Sequence, residues 1–449
     1  MLFQFCLPAS HGFSAAAGLL LIIYIWTFLG RPHNPISALR EQVYNSSASW
    51  TSNSPSPPGI YEYETIDPRR IQSLCRGTVW TPGLVFTCDE SVGGVGNLRN
   101  SILHCVRYAI HAGAAFTVPN FLKRSDDDPS QIRGTPTVPI ETIFDRQHFI
   151  DTLHLMCPEM ALYANSSHVP NFERAPKPIK LQPESIIPTV DGNRVSPIEA
   201  WRGTFYDWLK NQTEVQPSKQ TPVIVGLERS YMSYPVHTDS ESFFNNFGLL
   251  LRFRHDVRLL ASHVLYQMQL RFNLVFDQTQ HYFKNAYFGV HLRTEYDAQL
   301  VWGNNGYDYG TFDLQTEAYL GQAPRSNSSL IYIASGEANE IAKFATIAAE
   351  KVPTMPVVSK LDLLHGEQLA RLQNMTFDQQ ALVDFLVMER ASDFAGVAHS
   401  SFAWNIAIKR HTWSMTEKHL DGPQMLSDEL SQIYGRPRGY PEYALSLWP

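Results

Sequence analysis

The sequence predicts an α/β protein of two halves, each built on a parallel sheet, facing one another across a cleft. Three observations lead there. A strand, a glycine turn, a helix and a second strand follow in order over residues 84–118, which is a βαβ unit. Short apolar runs alternate with helical periodicity from Tyr287 to His411. Between these regions lies one long amphipathic stretch, Ser242–Arg271, with Leu250, Phe253, Val257, Leu260, Val264 and Met268 on one face.

Composition supports a large folded body. Of 449 residues, 44% are hydrophobic and 18% charged, which excludes disorder as the main state. A net charge of −7 argues against a nucleic-acid partner held by a basic surface. The charge is unevenly spread, because residues 1–30 contain no Lys, Arg, Asp or Glu. Within them, Gly12–Gly30 is apolar and nearly long enough, at ~1.5 Å per residue, to cross a hydrocarbon core of ~30 Å. It reads as a transmembrane helix anchoring the chain to a membrane, with a cleaved signal peptide as the rival reading. Residues 31–70 read as a Ser/Pro-rich stem, residues 71–255 as the first α/β domain and residues 256–449 as the second.

Arg31 and Arg40 follow the span, which by charge alone favours a cytosolic body. Two features point instead to a lumen. N-x-[ST] sequons occur at Asn45, Asn165, Asn211, Asn327 and Asn374. Cys75, Cys88, Cys105 and Cys157 are even in number, fitting either two disulfides of unassigned pairing or four reduced core cysteines. The expectation is a single-pass protein of the endoplasmic reticulum or Golgi membrane, with its body in the lumen.

Taken in order, Leu84–Thr87 is a strand and Gly93-Gly94-Val95-Gly96 the turn that opens a helix near Asn97. Leu98, Ile102, Val106 and Ala109 keep its spacing, Gly113 ends it, and Ala114–Val118 is the next strand. Residues 169–200 are Pro-rich and read as a long surface loop; Pro222–Leu227 reads as a strand. The second half runs strand Tyr287–Leu292, strand Leu330–Ala334, helix Ala338–Lys351, strand Pro356–Ser359, helix Gln379–Glu389, strand Phe394–Ala398 and a final helix from about Ser400.

Three places carry chemistry. Glycines at Gly93–Gly96 let a ligand approach the backbone, and a helix start offers free N–H groups to an anion, although the run taken alone is a plain tight turn. His291-Leu292-Arg293-Thr294-Glu295-Tyr296-Asp297 closes an apolar strand, where open parallel sheets bind ligands. There the planar Arg293 can hold a diphosphate, or pair with Glu295 or Asp297. Ser400-Ser401-Phe402 stands at a helix start, supplying hydroxyls and N–H groups to a phosphate or simply capping the helix. Asp126-Asp127-Asp128 lacks a preceding apolar strand and reads as a solvated loop, and no histidine spacing marks a metal site.

Together these segments resemble the GDP-fucose protein O-fucosyltransferase superfamily, including its plant-type and fungal members. The resemblance runs from about Thr87 to His411. It includes the Gly96-Asn97-x-Arg99 opening, Phe144-Asp145-x-x-His148-Phe149, Leu251-Arg252-Phe253, His291-Leu292-Arg293-x-Glu295-x-Asp297, Ile331-Tyr332-Ile333-Ala334-x-Gly336-Glu337, Asp384 and Ser400-Ser401-Phe402. It implies a GT-B-like fold of two Rossmann-like domains. It also implies transfer of L-fucose from GDP-fucose to a protein or glycan hydroxyl, with inversion and without metal or other cofactor. By that likeness Arg293 stabilises the departing GDP and Asn97 lies near the reacting sugar, these two being the catalytic candidates. Asp384 would contact guanine, while Ser400, Ser401 and Phe402 hold the pyrophosphate and nucleotide. Gly94, Gly96 and His291 complete the substrate-binding set.

One departure matters: some members carry a glutamate base three residues before the matching Asn, where this chain has Gly94. The base is therefore open among Asp89, Glu90, Glu295 and a water-mediated path. Two other functions stay in view, a GT-B transferase using another nucleotide sugar and a non-catalytic binding protein that kept the fold.

Overall fold

Leu84–Thr87 (β1) is buried along its whole length, as a strand with helices on both faces must be. Around it lie Ala115–Thr117 (β2), Leu162–Tyr163 (β5), Ile179–Leu181 (β6) and Val223–Leu227 (β7). They form a parallel sheet in the order β5-β2-β1-β7-β6. Asn120–Leu122 (β3) and Thr137–Pro139 (β4) make a small antiparallel pair. A second parallel sheet comprises Phe288–His291 (β8), Ile331–Ala334 (β9), Val357–Val358 (β10), Asp393–Val397 (β11) and Ser431–Tyr434 (β12). Its order is β10-β9-β8-β11-β12.

This computed structural model describes residues 61, 65–125, 135–186, 198, 200–303, 306–415, 427–435 and 445–449. All belong to one compact unit, Pro57–Pro449. The expected membrane span, most of the stem, Asn45 and Asp126–Asp128 lie outside the described residues. Among the described residues no helix is long and apolar enough to cross a membrane.

The order of both sheets fixes where a ligand can sit. Each chain path builds outward on one side of its first strand, then crosses to the other. The crossing leaves a crevice between β1 and β7 in one sheet and between β8 and β11 in the other. Helix Val95–Ala112 leaves the first crevice and helix Ser401–His411 the second. Gly113 stops the former in the left-handed region at φ 73°, its N–H bonded to the carbonyls of Ala109 and Ile110. The Ser400 hydroxyl caps the latter by accepting from the Ala403 N–H.

Two disulfides close in the first half, resolving the open pairing. Cys75 joins Cys157, and Cys88 at the end of β1 joins Cys105 on helix Val95–Ala112.

Three sequence expectations change. Residues 169–200 are not one continuous loop, because they contribute edge strand β6. Pro178 and Pro183 flank that strand rather than interrupt it, as an edge permits. The amphipathic stretch Ser242–Arg271 is two helices, Glu241–Phe247 and His255–Phe272, separated by a short 3-10 turn and an extended segment. There the backbone is claimed by another element: Asp145 N–H donates to the Arg252 carbonyl at 2.7 Å, and Arg252 Nη2 donates to the Asp145 carboxylate at 2.6 Å. Phe253 meanwhile stacks on Phe144 at 5.6 Å. The spacing was helical, but a long-range pairing overrode it. Finally, β12 follows the helix that begins at Ser401, so the second sheet gains an unforeseen edge.

The chain's last described residues return to the first half. Arg99 donates to the carbonyls of Trp448 and Pro449 at 2.7 and 2.8 Å, and to the Asn405 amide oxygen at 3.0 Å. His104 bonds the Ser446 carbonyl at 2.6 Å while the Tyr234 N–H donates to its other ring nitrogen, so it is a neutral, buried imidazole. Burial pushes its pKa down to about 4.

Candidate functional site

The two crevices open into one cleft of about 540 Å³. Gly94, Gly96, Asn97, His291, Arg293, Asp384, Ser400, Ser401 and Phe402 all line it, so the structure brings together the catalytic and substrate-binding residues expected from the sequence, though not two of the candidate bases, Asp89 and Glu90. The reason is topological: these residues lie at or beyond the C-terminal ends of β1, β8 and β11 or on the helix Phe377–Glu389 that packs beside them.

Arg293 is fixed at both ends. Its peptide N–H donates to Gln315 Oε1 at 2.9 Å, and Gln315 Nε2 returns a bond to the Arg293 carbonyl at 3.0 Å. Its guanidinium forks onto two carboxylates, Glu295 at 2.5 Å and Asp297 at 2.7 Å, with the Trp302 ring 5.7 Å away. Burial works against the charged form of Arg293, yet Glu295 and Asp297 hold its pKa above the ordinary value. Burial alone would raise the Glu295 carboxyl; the Arg293 guanidinium and the Gly336 N–H at 2.8 Å help hold it below its usual range.

Asp384 is buried, accepting from the Tyr332 hydroxyl at 2.6 Å and pairing with Lys360. Burial raises its pKa, with Lys360 and Tyr332 working in the opposite direction. Arg124 pairs with Asp378 at 2.5 Å across the cleft wall. Among the described residues, every carboxylate lining the cleft (Glu295, Asp297, Asp378 and Asp384) thus has a cation on it.

Of the three candidate bases, only Glu295 lines the cleft, and both of its oxygens are engaged. Asp89 accepts from Thr87 Oγ1 and the Asn120 N–H, and Glu90 pairs with Lys180.

The cleft also holds two neutral imidazoles. Burial pushes His291 down to about 4 and His399 down to about 3. His291 packs on the Phe402 ring at 4.6 Å, and His399 on Trp302 at 4.5 Å. Asn97 Oδ1, His291 Nδ1, Thr294 Oγ1 and His399 Nε2 are buried with no protein partner among the described residues. Such atoms on and around one cleft call for a hydrogen-bonding ligand or solvent.

Sequence reading missed Arg124, Arg229, Trp302, Lys360 and His399. Arg229 stands two residues beyond β7, so the strand-end rule that found Arg293 also points to it. His399 directly precedes Ser400. Lys360 also stands two residues beyond a strand, but that strand has only two residues and the lysine's partner Asp384 lies 24 residues on.

Residues 84–412 match the family profile described as GDP-fucose protein O-fucosyltransferase. Among solved structures, POFUT1 in complex with GDP is 12% identical with a TM-score of 0.44, covering 80% of this chain and 100% of that one. POFUT1 in complex with GDP-fucose gives 12% and 0.44, with 83% and 100% covered. A point variant of Arabidopsis thaliana FUT1 in complex with GDP gives 11% and 0.33, covering 76% and 71%. No curated protein matches the chain.

Proposed function

Because the chain belongs to the GDP-fucose protein O-fucosyltransferase family, we propose that it transfers L-fucose from GDP-fucose to a protein or glycan hydroxyl, with inversion and without a metal ion. The observation that carries this is the convergence of two helix starts, Gly94–Asn97 and Ser400–Ser401, with Arg293 in a single cleft. Helix N-termini and a guanidinium are a set of donors suited to a diphosphate.

The acceptor oxygen attacks the anomeric carbon from the face opposite the diphosphate. The bond to the β-phosphate oxygen breaks, its electron pair leaves with GDP, and the acceptor proton passes to water. Charge develops on the phosphate oxygens, so donors already aimed there lower the barrier. Arg293 has this role and Asn97 holds the sugar; Ser400, Ser401 and Phe402 hold the pyrophosphate and nucleotide. Asp384, engaged by Lys360 and Tyr332, presents the base-binding end of the cleft. Among the described residues each cleft carboxylate is paired with Lys or Arg, which favours metal-free chemistry, because a divalent cation would have to displace that partner.

The fold reading follows a GT-B plan. Strands β1–β7 precede residue 255 and β8–β12 follow it, which supports an acceptor-side half and a nucleotide-sugar half. A lumenal body, anchored through residues 1–30, is supported by the two disulfides and by the exposure of Asn165, Asn211, Asn327 and Asn374.

The test is titration of the purified body with GDP-fucose, GDP-mannose and UDP-sugars, followed by donor hydrolysis with and without EDTA. Preference for GDP-fucose and EDTA-resistant turnover are expected. Preference for another nucleotide sugar, GDP binding without turnover, or a metal requirement would each overturn the corresponding part.

A further inference from the structure

The cleft's charges do not balance where a diphosphate would lie. Arg293 brings one positive charge against two carboxylates, while Arg124 and Lys360 are each cancelled by an aspartate. His291 and His399 are neutral. A diphosphate ester is a dianion, and these groups alone offer it no net positive charge.

Arg229 is different. It lines the same cleft from the end of β7, in the sheet opposite Arg293. Its guanidinium lies over the Tyr231 ring at 4.2 Å, and Nε is buried without a protein partner. Among the described residues it has no carboxylate partner and no hydrogen-bond acceptor. Stacking on a ring fixes the face of a guanidinium and leaves its N–H edge to fork onto an oxyanion.

We infer that Arg229 binds the diphosphate of the sugar nucleotide from the first half of the chain, opposite Arg293, and supplies the positive charge that the paired cations of the cleft do not. This rests on the nucleotide-sugar reading above. The donor is then gripped from both sheets, so donor binding itself draws the two walls of the cleft onto one ligand.

Titration of GDP and of guanosine into the wild type, Arg229→Ala and Arg229→Lys tests this. Loss of a charge-assisted bidentate contact should weaken GDP by ~10- to 100-fold. Guanosine, which has no phosphate, should bind all three proteins alike, and Arg229→Lys should recover part of the GDP affinity by restoring charge without the fork. If the wild type binds GDP and Arg229→Ala binds it equally well, the inference fails while the functional reading stands. Equal weakening of GDP and guanosine would mean a structural role and overturn it too. A wild type that binds no GDP would overturn the functional reading and this inference together.

Discussion

A Cβ placed on Gly96 would lie 2.7 Å from the carbonyl carbon of Ser401 and 2.8 Å from its hydroxyl oxygen. The first turns of helices Val95–Ala112 and Ser401–His411 therefore meet backbone to backbone, and only glycine fits between them. Gly96 acts through that approach: it allows the two helix starts to face one ligand. Gly96→Ala should lose ~1–3 kcal/mol to overpacking, despite a gain of ~1 kcal/mol in helix propensity. Both the unfolding midpoint in urea and GDP affinity should fall; a variant unchanged in both would contradict the contact.

Arg293 should be tested with care for what it holds apart. Arg293→Ala should slow transfer by about two to three decades. It should also destabilise the fold by ~3 kcal/mol, because Glu295 would be left buried and unpaired. Adding Glu295→Gln should restore much of the stability and none of the rate. Paired denaturation and turnover measurements separate the two effects, and recovery of both would mean that Arg293 serves the fold alone.

Acid should unfold the protein well above the ordinary carboxylate range. The pKa values of His104 and His291 are lowered to about 4 and that of His399 to about 3, all by burial. The unfolded chain takes up protons near ~6.5 and the folded one resists, so stability falls as pH drops from there toward 4. Each of the three should forfeit about 3 kcal/mol by pH 4. Urea midpoints measured between pH 7 and pH 4 should show this slope, and His399→Gln should flatten it; a flat wild-type profile would refute it.

The two disulfides should differ in what they protect. Their sequence separations of 17 and 82 predict contributions of about 3 and about 4.5 kcal/mol. Cys88–Cys105 ties β1 to the helix that presents Asn97, so Cys88→Ser with Cys105→Ser should lower GDP affinity as well as stability. Cys75→Ser with Cys157→Ser should lower stability only. Calorimetric unfolding and GDP titration on both variants decide it.

Local signals located most of the site. Helix Ala338–Lys351 matches its periodicity residue for residue, and the glycine turn and Ser400 mark their helix starts by capping chemistry. Arg293 was visible because a charged fork at the end of a buried strand has few other uses. Lys360 and Arg124 were not, because their partners Asp384 and Asp378 are 24 and 254 residues away. The break at Leu251–Arg254 was hidden for a similar reason, since its apolar spacing suits a helix and only the Asp145 pairing forbids one.

The amino-acid order on its own established an α/β chain, its strand ends, and the residues suited to a diphosphate. All of these follow from neighbours within a turn or a strand. Folding settled which cysteines join, that the final residues pack against Arg99 and His104, and how charge is distributed around the cleft. Arg293 is tied to Glu295 and Asp297, whereas among the described residues Arg229 meets only a ring. Those partners all lie within four residues of their arginine; what folding decided is that the two arginines, from separate sheets, line one cleft, which no spacing along the chain can encode.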